Sequence, residues 1–180
     1  MKILFIGNSH TYVHYVPLRV TEFCKKQGED MDTLMLTYLG IGLDWHLEQS
    51  QTYFNLIYGK FDAVVFQHNA HPFPGKESLV SAGKALAKLV PETTKIYVYM
   101  TWSEKNNPEE EFYFEDGEHS SVLGASFSAA DIGRTLLGMD LTWEACYKDA
   151  KEIGDIVQDP CMIDMVMVDG KLEMRPCENI

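Results

Sequence analysis

Ser9, Asp116 and His119 are the side chains whose types and settings fit nucleophilic chemistry. A serine hydroxyl is a weak nucleophile until a neighbouring base takes its proton. A histidine serves as that base when a carboxylate holds its other ring nitrogen and fixes the tautomer. Asp116 stands three residues before His119 in Phe114-Glu-Asp-Gly-Glu-His-Ser-Ser-Val-Leu-Gly124, so one short turn ahead of a helix can supply both groups. Ser9 follows Gly7 and Asn8, two turn formers that tolerate positive φ. The competing reading of Ser9 is a helix cap; the Asp-x-x-His turn is what favours a nucleophile.

These residues need elements to hold them. Ile3-Leu-Phe-Ile6 is a continuous apolar run, β-branched at both ends, and reads as a buried strand over 2–7. Val13, Val16, Val20 and Phe23 then recur at helical spacing, so a helix follows; Pro17 suits its first turn, which places the start nearer Val16 than Val13, and Gly28 suits its stop. The remaining pattern alternates. Strands are expected over 31–37, 61–66 and 95–100, with helices over about 44–58 and 77–90. Further helices are expected from after His119 to about Gly138 and from Thr142, a good cap, to about Asp159-Pro160. Strand–helix repetition of this kind implies a parallel sheet covered on both faces. Ser9, Gly40, Asn69 and Trp102 then fall at carboxyl ends of strands, where such sheets place their sites. The expected fold is a three-layer α/β/α flavodoxin-like sandwich with a mostly parallel sheet of four to five strands. To it are added a C-terminal helix and a β-hairpin over 162–174 on an Asp169-Gly170 turn.

The length of 180 residues suits a single domain over 1–180, with a core over about 2–138 and an addition over 139–180. A net charge of −12 argues against nucleic acid, whose phosphates are bound by clustered Lys and Arg, and against docking on anionic membranes. No apolar run approaches the ~20 residues of a membrane helix, and the short apolar start reads as a strand rather than a signal peptide. A cytoplasmic protein is the expectation. Cys24, Cys146, Cys161 and Cys177 form no Cys-x-x-Cys pair, which argues against the usual zinc and redox spacings.

Gly7-Asn8-Ser9-His10 near the start, with Asp116-Gly117-x-His119-x-x-x-x-Gly124 further on, resembles the SGNH (GDSL-like) hydrolases. Two weaker matches lie between them in the family's order: Tyr38-Leu-Gly40-Ile-Gly42-Leu-Asp-Trp-His46 and Val64-Val-Phe-Gln67-His-Asn69. The resemblance covers roughly residues 2–130. It implies a serine esterase acting on small O-acyl esters, acetyl esters and carbohydrate esters among them, with no cofactor. In that mechanism Ser9 attacks the ester carbonyl, His119 is the base and Asp116 orients it. The oxyanion would be held by the Ser9 amide, the Gly40 amide (Gly42 as the alternative) and the Asn69 side chain. His10, His68 and Trp102 would line the substrate. The chain departs from the family in having only residues 103–115 between Trp102 and Asp116, where relatives usually carry a further helix and often a strand. Gln67 also stands where many members have Gly.

Other readings stay open at this stage. His10 and His14, with His68 and His71, invite a metal, but His-x-x-x-His here lacks the neighbouring Glu of a metalloprotease, and polar pocket histidines explain all four; no metal is expected. His46 reads as structural. The Glu109–Glu111 cluster is a solvated loop or a gate against anions, and Phe112-Tyr-Phe114 is core or pocket lining. The hairpin could supply a missing strand, cover a sheet edge or pair with a second copy, making a homo-oligomer. A non-catalytic binding protein that keeps the fold is the second functional reading. A flavodoxin-like nucleotide binder is a weak third, since no Gly-rich phosphate loop is present.

Overall fold

We describe a computed structural model of the chain over residues 1–69, 76–101, 110–114, 116–156, 164–169 and 171–175. Trp102, His71, Cys161, Cys177 and the Asp159-Pro160 helix stop lie outside these residues. Four strands, β1 (Lys2–Gly7), β2 (Asp32–Thr37), β3 (Ala63–Gln67) and β4 (Lys95–Tyr99), form one parallel sheet in the order β2-β1-β3-β4. Ile6 stands level with Leu36 and Phe66, and Phe66 with Val98. Three residues beyond that row lie Ser9, Leu39, Asn69 and Thr101, so the candidate site residues leave the sheet along one edge.

Side-chain alternation in β1 builds the three layers, because successive residues of a strand face opposite sides. Ile3 and Phe5 join Val20 and Phe23 of α2 (Val16–Lys26) and Ala125, Ala129 and Ile132 of α6 (Val122–Leu137). Leu4 and Ile6 face the other way, onto Leu43 of α3 (Leu43–His46), Leu56 of α4 (Ser50–Tyr58) and Leu86 of α5 (Lys76–Ala87). The sheet is therefore sandwiched between helical layers, an α/β/α fold. A final helix, α7 (Trp143–Ile156), is capped by the Thr142 hydroxyl, which accepts from the Ala145 amide at 3.3 Å. No helix among the described residues is long and apolar enough to cross a membrane.

The first helix is more broken than helical spacing predicts. A single turn, α1 (Ser9–Tyr12), and a 3-10 turn over Val13–Tyr15 precede α2, which carries Pro17 in its first turn as expected. His14 and Tyr15 adopt left-handed φ values of 52° and 54°, a conformation costing roughly 1–2 kcal/mol per residue. Arg19, wholly buried, offsets that cost: its Nε donates to the His14 carbonyl at 2.6 Å and its Nη1 to Ser126 Oγ at 3.2 Å. The kink lets the serine turn and α2 take separate axes. A second break divides the helix expected over 44–58. His46 is bound to β1, residues 47–49 tighten through bonds to the third residue back, and Gln49 turns extended before α4.

The sheet has four strands among the described residues, the lower of the expected numbers. Only residues 100–109 lie between β4 and the next 3-10 turn (Glu110–Phe112), fewer than the dozen or so residues of a parallel crossover. Ile96 and Val98 of β4 are consequently 41% and 51% exposed. The C-terminal hairpin forms where its Asp-Gly turn predicts, β5 (Asp164–Val168) against β6 (Lys171–Arg175), with Asp169 at a φ of 49°. It makes a two-stranded sheet of its own and does not extend the parallel one. Phe112 is core, meeting Phe127, Trp143 and Tyr147 edge-on or tilted, with ring centroids 5.5–6.1 Å away.

Gly133 brings α6 against α2: a Cβ there would lie 2.3 Å from Phe23 Cδ1. Gly133→Ala should therefore lower stability by about 1–3 kcal/mol, even though alanine favours helix by about 1 kcal/mol over glycine. The check is a urea melt, with a lower midpoint at unchanged slope expected; a raised midpoint would show that the helices separate freely.

Candidate active site

The turn after β1 is held by one side chain from the neighbouring strand. Gln67, at the end of β3 and 1% exposed, accepts through Oε1 from the Asn8 amide at 2.8 Å and from Thr11 Oγ1 at 2.9 Å, while its Nε2 donates to the His68 carbonyl. A Cβ on Gly7 would sit 2.4 Å from that Oε1, so only glycine admits the contact. Asn8 caps α1, its Oδ1 accepting from the His10 amide at 3.1 Å, and its Nδ2 donates to the Ile41 carbonyl at 2.8 Å. Ser9 is thereby fixed as the first residue of α1, 4% exposed.

The Asp-x-x-His turn meets it from the other end of the chain. His119 Nε2 lies 2.8 Å from Ser9 Oγ, and His119 Nδ1 lies 2.6 Å from Asp116 Oδ2. An ionised Asp116 accepts from Nδ1–H, which leaves Nε2 to accept the serine proton. Asp116 Oδ1 also accepts from the Glu118 and His119 amides at 2.9 and 3.0 Å. Burial pushes the Asp116 carboxyl up. The Glu118 amide, the His119 ring and amide and the histidine charge outweigh it, and hold the carboxyl below its ordinary range. The turn is closed by Phe114 N donating to the His119 carbonyl at 2.8 Å and by an isolated bridge between Tyr113 and Ser120. Ser121 then caps α6, accepting from the Gly124 amide at 3.1 Å. A serine, a histidine and an aspartate are thus joined in one hydrogen-bonded line, an arrangement able to activate the hydroxyl as a nucleophile.

No family model and no curated protein matches the chain. Among solved structures it is similar to a crystal structure of a DUF4886 family protein from Bacteroides uniformis ATCC 8492. The two are 15% identical with a TM-score of 0.49, over 78% of this chain and 65% of that one. The chain thus spans just under two thirds of that protein's length.

The remaining residues singled out in the sequence surround this line to different degrees. His10 is buried and stacks on His119, with ring centroids 4.8 Å apart and planes 19° from parallel; its Nε2 lies 3.9 Å from Glu118 Oε1. Asn69 lies two residues beyond β3, half-buried, at the sheet edge that carries Ser9. Gly40 sits at a left-handed φ of 67° with open space where a Cβ would point. Gly42 is extended and caps α3, wedged where a Cβ would meet Asp44 Oδ1 at 2.4 Å and His68 Cε1 at 2.9 Å. The two glycines flank Ile41, whose carbonyl Asn8 holds. His68 Nδ1 accepts from the Leu43 amide at 3.2 Å, which puts its proton on Nε2, and burial lowers its pKa. His68 Nε2 is buried with no partner among the described residues. His46, whose pKa burial also lowers, donates through Nε2 to the Gly7 carbonyl at 2.9 Å and so ties α3 to β1. Among the described residues no group of three or more His, Cys, Asp or Glu could hold a metal ion. Cys24 and Cys146 are buried free thiols, and burial lifts Cys24 to about 11. Of the Glu cluster, Glu111 is exposed and accepts from Tyr147 Oη at 3.1 Å.

Gln67 is the residue that motif reading undervalued. Its signal was present: a polar side chain closing a strand whose other residues are apolar is buried, and a buried amide needs partners.

Two outcomes follow for this site. Gln67→Ala removes the acceptor shared by the Asn8 amide and Thr11 Oγ1 and strands both inside the protein, so it should cost about 2–4 kcal/mol in a denaturant melt. Asp116 has a depressed folded pKa, so its ionised form stabilises the fold above the ordinary carboxylate value of ~3.9 and that contribution fades as pH falls through the lower folded value. The stability gap between the wild-type chain and Asp116→Asn should therefore narrow as pH falls below about 4. A gap that stays unchanged there would mean that Asp116 is not ionised in the fold.

Proposed function

We propose that the protein is a serine esterase that hydrolyses small O-acyl esters, acetyl esters foremost, through an acyl-enzyme. The observation that carries this reading is the unbroken line from Ser9 Oγ through both nitrogens of His119 to Asp116, with spacings of 2.8 and 2.6 Å. It is supported by the ionised state of Asp116, which keeps the proton of a neutral His119 on Nδ1.

In the first half-reaction Ser9 Oγ attacks the ester carbonyl carbon as its proton passes to His119 Nε2. The carbonyl π electrons move onto oxygen, giving a tetrahedral oxyanion. Collapse breaks the bond to the alkoxy oxygen, which leaves as the alcohol with the proton from Nε2. In the second half, water repeats the attack on the acyl-serine, His119 takes and returns one proton, and the carboxylic acid departs. Asp116 stays ionised throughout and stabilises the imidazolium that forms twice.

The oxyanion is assigned to the Ser9 amide, at the start of α1, to the amide of Gly40 or Gly42, and to the Asn69 side chain. One such donor can be worth ~2.7–4 kcal/mol in the transition state. His10 covers one face of the His119 ring, while His68 and Trp102 are assigned to the substrate. The near-complete burial of Ser9 favours a short acyl group over a long one.

The test is hydrolysis of p-nitrophenyl acetate and butyrate by the wild-type chain and by Ser9→Ala. Wild type should turn over the acetate faster than the butyrate, and Ser9→Ala should lose activity by about a thousandfold or more while its melt is unchanged. Equal rates in the two proteins would overturn the esterase reading and leave a binding protein with the same fold.

A further inference from the structure

His119 is held at its two nitrogens by hydrogen bonds, and the proposed reaction removes one of them. Ser9 Oγ donates to Nε2 at 2.8 Å, and Nδ1 donates to Asp116 Oδ2 at 2.6 Å. Once Ser9 carries an acyl group, its oxygen is esterified and has no proton left to donate. The imidazole then keeps only the Asp116 bond, yet it must aim Nε2 at a water molecule for the second half of the cycle. One bond at Nδ1 leaves the ring free to tilt, and a misplacement of about 1 Å can cost a hundredfold in rate.

The contact that resists this tilt lies on the face of the ring. His10, 4% exposed, stacks on His119 with ring centroids 4.8 Å apart and planes 19° from parallel. A neighbour placed face-on lies outside the hydrogen-bonding plane. It opposes tilting and still leaves both nitrogens of His119 to their partners. Stacking of this geometry favours the aligned ring by about two- to tenfold. His10 is itself anchored. It follows Ser9 in α1, its amide donates to Asn8 Oδ1 at 3.1 Å, and its Nε2 lies 3.9 Å from Glu118 Oε1 in the turn that carries His119. The stack therefore ties the serine helix to the histidine turn by a contact that acylation of Ser9 does not touch. We propose that His10 is a positioning residue whose stacked ring keeps His119 aligned while Ser9 is acylated, and so speeds release of the acyl group. In that step the water oxygen bonds to the acyl carbon as its proton passes to His119 Nε2. The bond from that carbon to Ser9 Oγ then breaks, and Oγ takes the proton back. The deacylation part rests on the esterase reading above; the alignment of the ring stands on the stack.

The experiment compares wild type with His10→Leu, which fills a similar volume without a flat face, and His10→Phe, which keeps one. Each chain is accepted on an unchanged melt, with His10→Gln standing in for His10→Leu if that variant unfolds. After a pulse of p-nitrophenyl acetate, loss of the acetyl adduct is followed by intact mass. Decay should slow about tenfold in His10→Leu and stay within about threefold of wild type in His10→Phe. In His10→Leu, kcat should fall with the decay rate while kcat/KM changes by less than about threefold. A residue that only lines the substrate would instead raise KM and leave the decay rate alone. Equal decay in all three chains, or equal slowing in both variants, overturns the proposal. A readout free of turnover uses the Ser9→Ala chain, in which His119 has also lost its serine bond. Its His119 Nδ1 proton, bonded to Asp116, should give a slowly exchanging downfield NMR resonance. The signal should persist when His10→Phe is added and vanish when His10→Leu is added. That pattern supports the alignment even if wild type forms no acetyl adduct, in which case only the esterase reading fails. A resonance that survives without the flat ring, or is missing from Ser9→Ala itself, overturns the proposal whatever the kinetics give.

Discussion

The candidate site depends on the Gln67 side chain more than on any other single contact. Two parallel strands end side by side, and each would leave its next backbone groups unpaired as it turns away from the sheet. Gln67 answers this with one amide group: its oxygen takes the Asn8 amide and the Thr11 hydroxyl, and its nitrogen caps the His68 carbonyl. Buried polar groups are costly when unpaired, so the contact is strongly specified in geometry as well as favourable in energy. It demands glycine at position 7, where any Cβ would collide with Oε1. It also places Asn8 so that the asparagine can reach Ile41, and with it the loop carrying Gly40 and Gly42. One interaction thus registers three loops at the carboxyl edge of the sheet.

The second half of the site is delivered by a helix rather than by a strand. Asp116 and His119 occupy a tight turn whose amides point into the Asp116 carboxylate, and the turn runs directly into the Ser121 cap of α6. Since α6 packs against α2 through Gly133 and Phe23, the His119 ring inherits its position from the core. Arg19 couples the same two helices near the serine turn, bonding the strained His14 backbone on one side and Ser126 of α6 on the other. The serine and the histidine are 110 residues apart in the chain, yet a short path of buried contacts joins them. This explains how a chain lacking room for a full crossover after β4 still assembles the line of three.

The same economy leaves β4 at an exposed edge. Ile96 and Val98 face solvent, and the C-terminal hairpin pairs with itself. Apolar surface of this kind on a strand edge is an unsatisfied feature of the fold.

Much of this was legible before any coordinates. The apolar run Ile3–Ile6, the glycine and asparagine after it, and the strand–helix alternation determine an α/β sandwich, because burial on both faces and tight turns are local demands that residue types answer directly. The Asp-x-x-His turn was legible for the same reason: its two side chains interact across one turn of backbone. Helix continuity was not. The breaks at Val13–Tyr15 and 47–49 arise where distant groups, Arg19 with Ser126 and His46 with Gly7, pull a segment off its local axis. Nor did composition reveal that Gln67 would clamp the serine turn, that His10 would stack on His119, or that Phe112 would be core. By itself the sequence determined which residues could act and on which side of the sheet they emerge. Only the tertiary structure decided that Ser9 and His119 stand 2.8 Å apart, since contacts across 110 residues depend on how whole layers pack and not on any local preference.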